Sequence, residues 1–414
     1  MAVPAFRRLW IAGVVSDAGD WLLFIALPLV VLQLTGSAFG TSLAFLLELV
    51  PPVLLAPVAG RLVDRLPRRG VMVVAMVAQA ACLLPLLAVH DRADLPVVYG
   101  VITAQATFAT VFEPAKNAVL PTLVGPGRVV SANALVGLNN DLGRIIGGPL
   151  GGVLLAVAGL GGVALVDIAT YLAAAALVAT LPGERTMPGE PSAGPRRPPA
   201  GGVLRALADP ATRAPVAVAV IAAIAQGLFV VLFVFFVTDV IGGAEADVGV
   251  LRGVQAIGAI GAGAVLGALG MHLDVLRTTL VGVVAFAALT VLTWNLSFVT
   301  HAVPVYGVLF AVIGAPAVLM GAGLTSLLQR TSDDGQRGSV FAALGLGQAA
   351  GQAIGLLAGG ALQEVVGTLP LLEVQAGAYV AAALLALRLL PRTVRPARGA
   401  STPEDAWVVP SGGT

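Results

Sequence analysis

Gly60-Arg61-Leu62-Val63-Asp64-Arg65-Leu66-Pro67-Arg68-Arg69 stands between two apolar runs, Phe39 to Ala59 and Val71 to Val89. A helix needs roughly 20 apolar residues to cross about 30 Å of hydrocarbon, and only helices or closed barrels satisfy their backbone groups there. Both runs have that length and are too long for barrel strands. The arginines between them cannot sit in hydrocarbon, so the segment is a surface loop. Because Lys and Arg resist translocation, the side that keeps it is the cytoplasmic one.

Working outward from this loop, similar runs recur along the chain. Before it lies Leu9 to Leu34; after it come Leu95 to Ala115, Leu135 to Ala158 and Gly161 to Leu181. A break rich in Pro, Gly and Arg follows, from Pro182 to Pro215, with an amphipathic stretch near Val203 to Leu207. The runs then resume as Ala214 to Ile241, Val248 to Gly270, Thr278 to Phe298, Ala302 to Leu328, Ser339 to Leu362 and Thr368 to Leu390. The expectation is an all-α polytopic membrane protein with twelve spans in two sixes. Its parts are a bundle over residues 1–181, a cytoplasmic linker over 182–213, a second bundle over 214–391 and a disordered cytoplasmic tail over 392–414. Phe6, Arg7 and Arg8 before an apolar run imitate a secretory signal, but the run is long enough to span and further spans follow, so it reads as a retained first helix.

Composition agrees. With 58% hydrophobic and 11% charged residues and a mean hydropathy of +0.96, the chain has more apolar surface than one globular core could bury. The net charge of +1, with no basic run interleaved with aromatics, excludes a nucleic-acid partner. Cys82 is the single cysteine, so neither a disulfide nor a cysteine metal site forms within the chain. No phosphate loop, Ser/His/Asp set or HExxH is present, and His90, His272 and His301 lie at span ends or in loops. These readings give no cofactor, no metal and no enzyme.

Placing both termini in the cytoplasm keeps all but three of the 23 Lys and Arg residues, Arg92, Arg144 and Arg252, on that side. The location expected is therefore a cytoplasmic membrane. An internal repeat supports the two sixes. Gly143, Gly147 and Gly151 are four apart in the fifth run, and Gly347, Gly351, Gly355 and Gly359 are four apart in the eleventh. Each set follows a polar loop, Leu120 to Leu135 and Leu328 to Leu344. Duplicated halves are the build of many secondary transporters, while small residues at this spacing also serve ordinary helix packing.

The Gly60 to Arg69 loop, with glycine, three residues, Asp-Arg, two residues and a basic pair between the second and third spans, resembles the signature loop of the major facilitator superfamily. Pro4 to Gly13 (PAFRRLWIAG) and Phe112 to Val124 (FEPAKNAVLPTLV) look most like its branch of bacterial drug, macrolide and siderophore exporters. The resemblance implies two six-helix bundles, a small-molecule substrate and a cytoplasmic latch. In the latch Asp64 sits at the amino end of the eleventh helix and the neighbouring arginines pair with acids; Glu113 is the candidate partner for Arg65 or Arg68. The loop between spans eight and nine keeps His272, Asp274 and Arg277 but lacks the Asp-Arg pair, and the fourth span lacks the arginine of many proton-coupled members. Gly148-Pro149-Leu150-Gly151-Gly152 resembles the exporters' glycine-proline motif with one residue fewer inside it.

Ionisable groups at membrane depth ask for a partner or a wet cavity. Asp17 and Asp20 lie three apart on the first helix, with Asp20 near mid-membrane, and Glu48 and Arg144 fall at comparable depth. The four are expected to converge on a central substrate and proton cavity; the other reading neutralises Arg144 by an acid, a structural pair without transport chemistry. Asp167 reads as a buried polar contact, and Asp239 with Arg252 as an external gate or a structural pair. The expected function is proton-coupled efflux of a drug-, macrolide- or siderophore-like molecule by a monomeric carrier bathed in lipid. Uptake or lipid flipping on the same fold, and a membrane enzyme or sensor, are the rivals.

Overall fold

The computed structural model describes residues 3–182, 207–269, 274–332 and 336–393. Among these residues the secondary structure is entirely helical. The helices are α1 (Pro4–Thr35), α2 (Ala38–Arg65), α3 (Arg68–Leu83, prolonged by a 3-10 turn, Leu84–Ala88), α4 (Leu95–Val124) and α5 (Val129–Ala179). They continue as α6 (Pro210–Phe235), α7 (Glu245–Leu269), α8 (Val275–Asn295), α9 (Val303–Thr331), α10 (Arg337–Val366) and α11 (Thr368–Thr393). Eleven stretches of the described chain are long and apolar enough to cross a membrane.

Local chemistry sets the helix ends. Pro4 and Pro210 open α1 and α6, where the missing N–H costs nothing and the fixed φ already suits a helix. Asp209 accepts from the Ala211 amide at 2.9 Å, so α6 begins at Pro210, inside the expected linker. Gly36, at φ 64°, closes α1 by donating its N–H to the Leu32 carbonyl. The amphipathic stretch near Val203 lies largely outside the described residues, as do most of the expected linker and tail and His272.

The 51 residues of α5 hold one non-helical position, Gly159, at φ 65° and ψ −173°. It separates a first limb (129–158) from a second (160–179). Unbroken, α5 would extend about 77 Å, more than twice a hydrocarbon core. Only glycine reaches that φ without a Cβ clash, so the chain turns there.

Helix packing shows a recurring pattern. Within residues 3–182, α1 packs on α5, α2 on α4, and α3 on α4 and α5. Within 207–393, α6 packs on α10 and α11, α7 on α9, and α8 on α9 and α11. The two sets meet through α5 with α7 and α2 with α10. These junctions are closest where side chains are smallest. A Cβ on Gly249 would lie 2.0 Å from the Gly148 carbonyl oxygen, one on Gly152 2.7 Å from the Ala246 Cα, and one on Gly360 2.1 Å from the Ser42 hydroxyl. Beside them Ser37 donates to Glu364 at 3.1 Å, and Gln33 donates to Glu245.

Candidate functional site

A cavity of about 390 Å³ opens among the first five helices. Asp20, Trp21 and Phe24 reach it from α1, Glu48 from α2, Gln79 from α3 and Gln105 from α4. The first limb of α5 adds Asn140 and the second adds Tyr171. Asp20 and Glu48 have exposed side chains, and the surface they expose is the cavity wall. Neither carboxylate forms an ion pair with a described residue. Tyr171 donates its hydroxyl to Asp20 Oδ1 and accepts from Gln79 Nε2 at 3.0 Å, while Gln105 Nε2 donates to the Gln79 carbonyl at 3.2 Å. Asp20 is thus held by a buried neutral relay that spans α1, α5, α3 and α4, whereas Glu48 is held by packing alone. Burying the phenol, at 1% exposure, excludes water as its competing partner.

The structure brings together two of the four residues expected at the cavity. Asp17 is half-buried and turns toward α5, where a Cβ on Gly143 would lie 2.8 Å from the Asp17 Cβ. Arg144 is ion-paired with Asp141, three residues earlier on the same limb, at 2.7 Å. Its guanidinium lies 5.6 Å from the centre of the Trp21 ring, and it forms no pair with Glu48. Depth along the chain suggested a cavity position; the i, i+3 spacing to Asp141 provided a nearer anion.

The contacts expected of a cytoplasmic latch around Asp64 are not seen among the described residues, which leave out 333–335 beside the start of α10. Asp64 and Arg65 are exposed and have no hydrogen-bond or ion-pair partner among the described residues. Arg68 donates to the Ala118 carbonyl at 3.2 Å and Arg69 to the Leu181 carbonyl at 2.8 Å. Gly60 has open space where a Cβ would stand. Glu113 pairs with Lys116 at 2.5 Å on its own helix, not with Arg65 or Arg68. Asp239 accepts from the Thr238 hydroxyl at 2.6 Å and does not meet Arg252, so that expected gate is absent too. Arg252 is buried instead, 5% exposed, with its guanidinium 4.7 Å, 5.2 Å and 5.8 Å from the ring centres of Phe229, Phe233 and Phe24.

The small-residue motif divides its work between two faces. Gly143, Gly147 and Gly151 let α1 approach α5, with a Cβ on Gly147 only 2.1 Å from the Ala18 carbonyl oxygen. Gly148, Pro149 and Gly152 face α7. Sequence reading missed Gln79, Gln105, Asn140 and Tyr171, since neutral polar side chains inside apolar runs carry no charge cost to draw attention.

These features define a multi-pass membrane protein with an acidic pocket enclosed by its own helices. The sequence profile of the Major Facilitator Superfamily matches residues 9–330, and the chain belongs to that family, whose members are transporters and not enzymes. Over 189 residues it is 28% identical to the uncharacterized MFS-type transporter YfiS of Bacillus subtilis, covering 44% of this chain and 45% of that protein. Over 162 residues it is 30% identical to the enterobactin exporter EntS of Citrobacter koseri, covering 38% of each. The multidrug efflux pump Tap of Mycolicibacterium fortuitum is 29% identical over 156 residues, 36% of this chain and 38% of that one. The matches therefore span under half the length of these relatives. In fold, a bacterial homologue of the iron transporter ferroportin in its inward-facing state superposes with a TM-score of 0.75 at 17% identity, covering 94% of this chain and 99% of the other. The outward-facing state of a bacterial ferroportin homologue gives 0.62 at 17% identity, covering 94% of this chain and 100% of the other.

Proposed function

We propose that this protein is a secondary active exporter that exchanges protons for a small molecule by alternating access. The observation that carries this reading is the pair Asp20 and Glu48, two carboxylates without a cation on the wall of one cavity. Carboxylates at membrane depth are costly, so a fold that keeps them uses their ability to change charge. A proton bound there during one half-cycle and released in the other would tie substrate movement to the membrane potential. One charge crossing with the field gains about 2.3 kcal/mol per 100 mV, which sustains roughly a fifty-fold gradient.

The architecture proposed is twelve crossings in two six-helix halves, with α5 crossing twice about Gly159 and both termini cytoplasmic. The halves touch through the glycine junctions at the end that carries Ser37 and Glu364, opposite the Gly60 to Arg69 loop. Contact at that end, with the TM-score of 0.75 to the inward-facing ferroportin homologue against 0.62 to the outward-facing one, supports a conformation open toward the cytoplasm. Efflux is favoured by the exporters EntS and Tap among the relatives, and the mixed wall of Trp21, Phe24, Gln79 and Gln105 suits a partly aromatic, hydrogen-bonding molecule.

The test is a deletion strain grown across a panel of antibiotics and metal chelators, followed by proton-driven efflux of any active compound in everted vesicles. Asp20→Asn is expected to bind that compound and to lose proton-driven accumulation. Undiminished accumulation by a well-folded Asp20→Asn protein would remove Asp20 from coupling. Accumulation in the import direction would replace export with uptake.

A further inference from the structure

The repeated packing places residues of the two sets in register. On α1 and α6 the openings Pro4-Ala5-Phe6-Arg7 and Pro210-Ala211-Thr212-Arg213 correspond, as do the left-handed glycines that follow those helices, Gly36 at φ 64° and Gly242 at φ 66°. Carried back along the helix, that shift takes Asp20 to Gln226. Gly159 at φ 65° and Gly367 at φ 90° correspond in the same way at the start of the last helix of each set. Their shift takes Asp167 to Gln375 and Tyr171 to Tyr379. At the junctions, Gly152 meets the Glu245 carbonyl as Gly360 meets the Ala38 carbonyl. This relates Ala38 to Glu245, and hence Glu48 to Gln255.

The side chains repeat the relation in their contacts. Tyr171 donates to Asp20, and Tyr379 donates to Gln226 Oε1 at 3.4 Å. Gln226, Gln255 and Gln375 all line one small cavity of about 20 Å³, next to Tyr379. In that cavity Gln375 accepts from Trp294 Nε1 at 2.8 Å. The second set thus builds the same polar centre from three amides. An amide offers a carboxylate's shape and acceptor oxygen but has no proton to exchange at neutral pH. Since the fold holds glutamine at all three places, with Gln255 Oε1 itself lacking a partner, acid at the first three is not required to build it.

Asp20 and Glu48 already belong to the proposed coupling site; Asp167 does not. It is fully buried on the second limb of α5, with Oδ1 accepting from Thr170 at 2.7 Å and Oδ2 left without a partner. Oδ1 would lie 1.8 Å from a Cβ on Gly19, so it packs directly behind the backbone that carries Asp20. The ionisable groups that act on this cluster are Asp20 and Asp17 from α1 and Tyr171 from its own limb. Glu48 of α2 acts on Asp20, Lys116 and Glu113 of α4 act on the two α1 carboxylates, and α3 supplies neutral Gln79 through Tyr171. No cation pairs with Asp167 among the described residues. An unpartnered carboxylate oxygen in such surroundings offers an open site for a proton.

We propose that Asp167 is a proton-binding residue of the transport cycle, the inner member of a set with Asp20 and Glu48, and that Gln226, Gln255 and Gln375 form its proton-inert copy. The reaction is the binding and release of one proton at the Asp167 carboxylate, with no other bond changed. This rests on the proton-coupled reading above and adds a residue outside the cavity wall.

The test is infrared difference spectroscopy of the full-length protein in lipid nanodiscs, between acidic and alkaline buffer, reading the carbonyl stretch of protonated carboxyl groups. Asp167→Asn is expected to lose one such band and Asp167→Glu to shift it, while Gln375→Asn leaves every carboxyl band in place. An Asp167→Asn spectrum that keeps all carboxyl bands would overturn the assignment. If Asp167→Asn does not fold, Asp167→Glu decides, since an unshifted set of bands refutes the proposal equally. Asp20→Asn in the efflux assay separates the two readings. Lost coupling there with intact bands in Asp167→Asn removes Asp167 alone; coupling retained in Asp20→Asn with a lost band in Asp167→Asn leaves Asp167 standing and removes Asp20.

Discussion

On the alternating-access reading proposed above, Gly249→Ala is expected to shift the balance between two access states. The added methyl would stand 2.0 Å from the Gly148 carbonyl oxygen and 2.7 Å from its carbon, both backbone atoms that no rotamer change can move. The α5–α7 junction must therefore part by about 1 Å before the methyl fits, and overpacking of this kind costs about 1–3 kcal/mol. The junction joins the two packed sets, so the penalty falls on the state in which they touch there. At 1.36 kcal/mol per factor of ten, the ratio of closed to open populations at this end falls about 5- to 160-fold. The assay is pulsed dipolar electron resonance on spin labels at Phe39→Cys and Val365→Cys, exposed positions beside the Ser37–Glu364 contact, in a Cys82→Ser background. Gly249→Ala should transfer amplitude from a short to a long distance. Gly261→Ala, on the same helix with open space around it, should not. Identical distance distributions in the Gly249→Ala and parent proteins would refute the reasoning.

Arg252→Met is expected to raise the thermal unfolding temperature in detergent, because it removes a buried charge paired with no described residue and keeps a side chain that fills the space among Phe24, Phe229 and Phe233; the gain is about 1–4 kcal/mol, and a lowered temperature would count against it. Gly147→Ala should destabilise by about 1–3 kcal/mol, its Cβ meeting the Ala18 carbonyl at 2.1 Å, whereas Gly137→Ala on the same limb, with open space around it, should gain about 0.5–1 kcal/mol in the same melts.

The membrane class was legible because long apolar runs punctuated by arginine have one economical reading, and the Gly60 to Arg69 loop pointed to the family. Gly143, Gly147 and Gly151 were legible as a packing face, but which partner each glycine meets was not, since a spacing of four marks a face without naming what lies against it. The site was legible only in its charges. Asp20 and Glu48 stood out because acids are rare in apolar runs, yet Tyr171, which holds Asp20, lies 151 residues away along the chain. Arg144 shows the opposite case, since of its two readings the pairing with an acid is the one seen, through Asp141. Its depth pointed to the cavity, while the short-range match to Asp141 that removes it from there was present in the sequence and outweighed by the larger pattern.

Among the described residues, every side chain on the wall of the 390 Å³ cavity comes from before 182. A cargo seated there would stay fastened to one jaw of the clamp while the other swings past it. Selectivity and motion would then be inherited on separate stretches of the gene, so a chimaera joining these first helices to the closing half of a related carrier would keep the donor's taste for cargo.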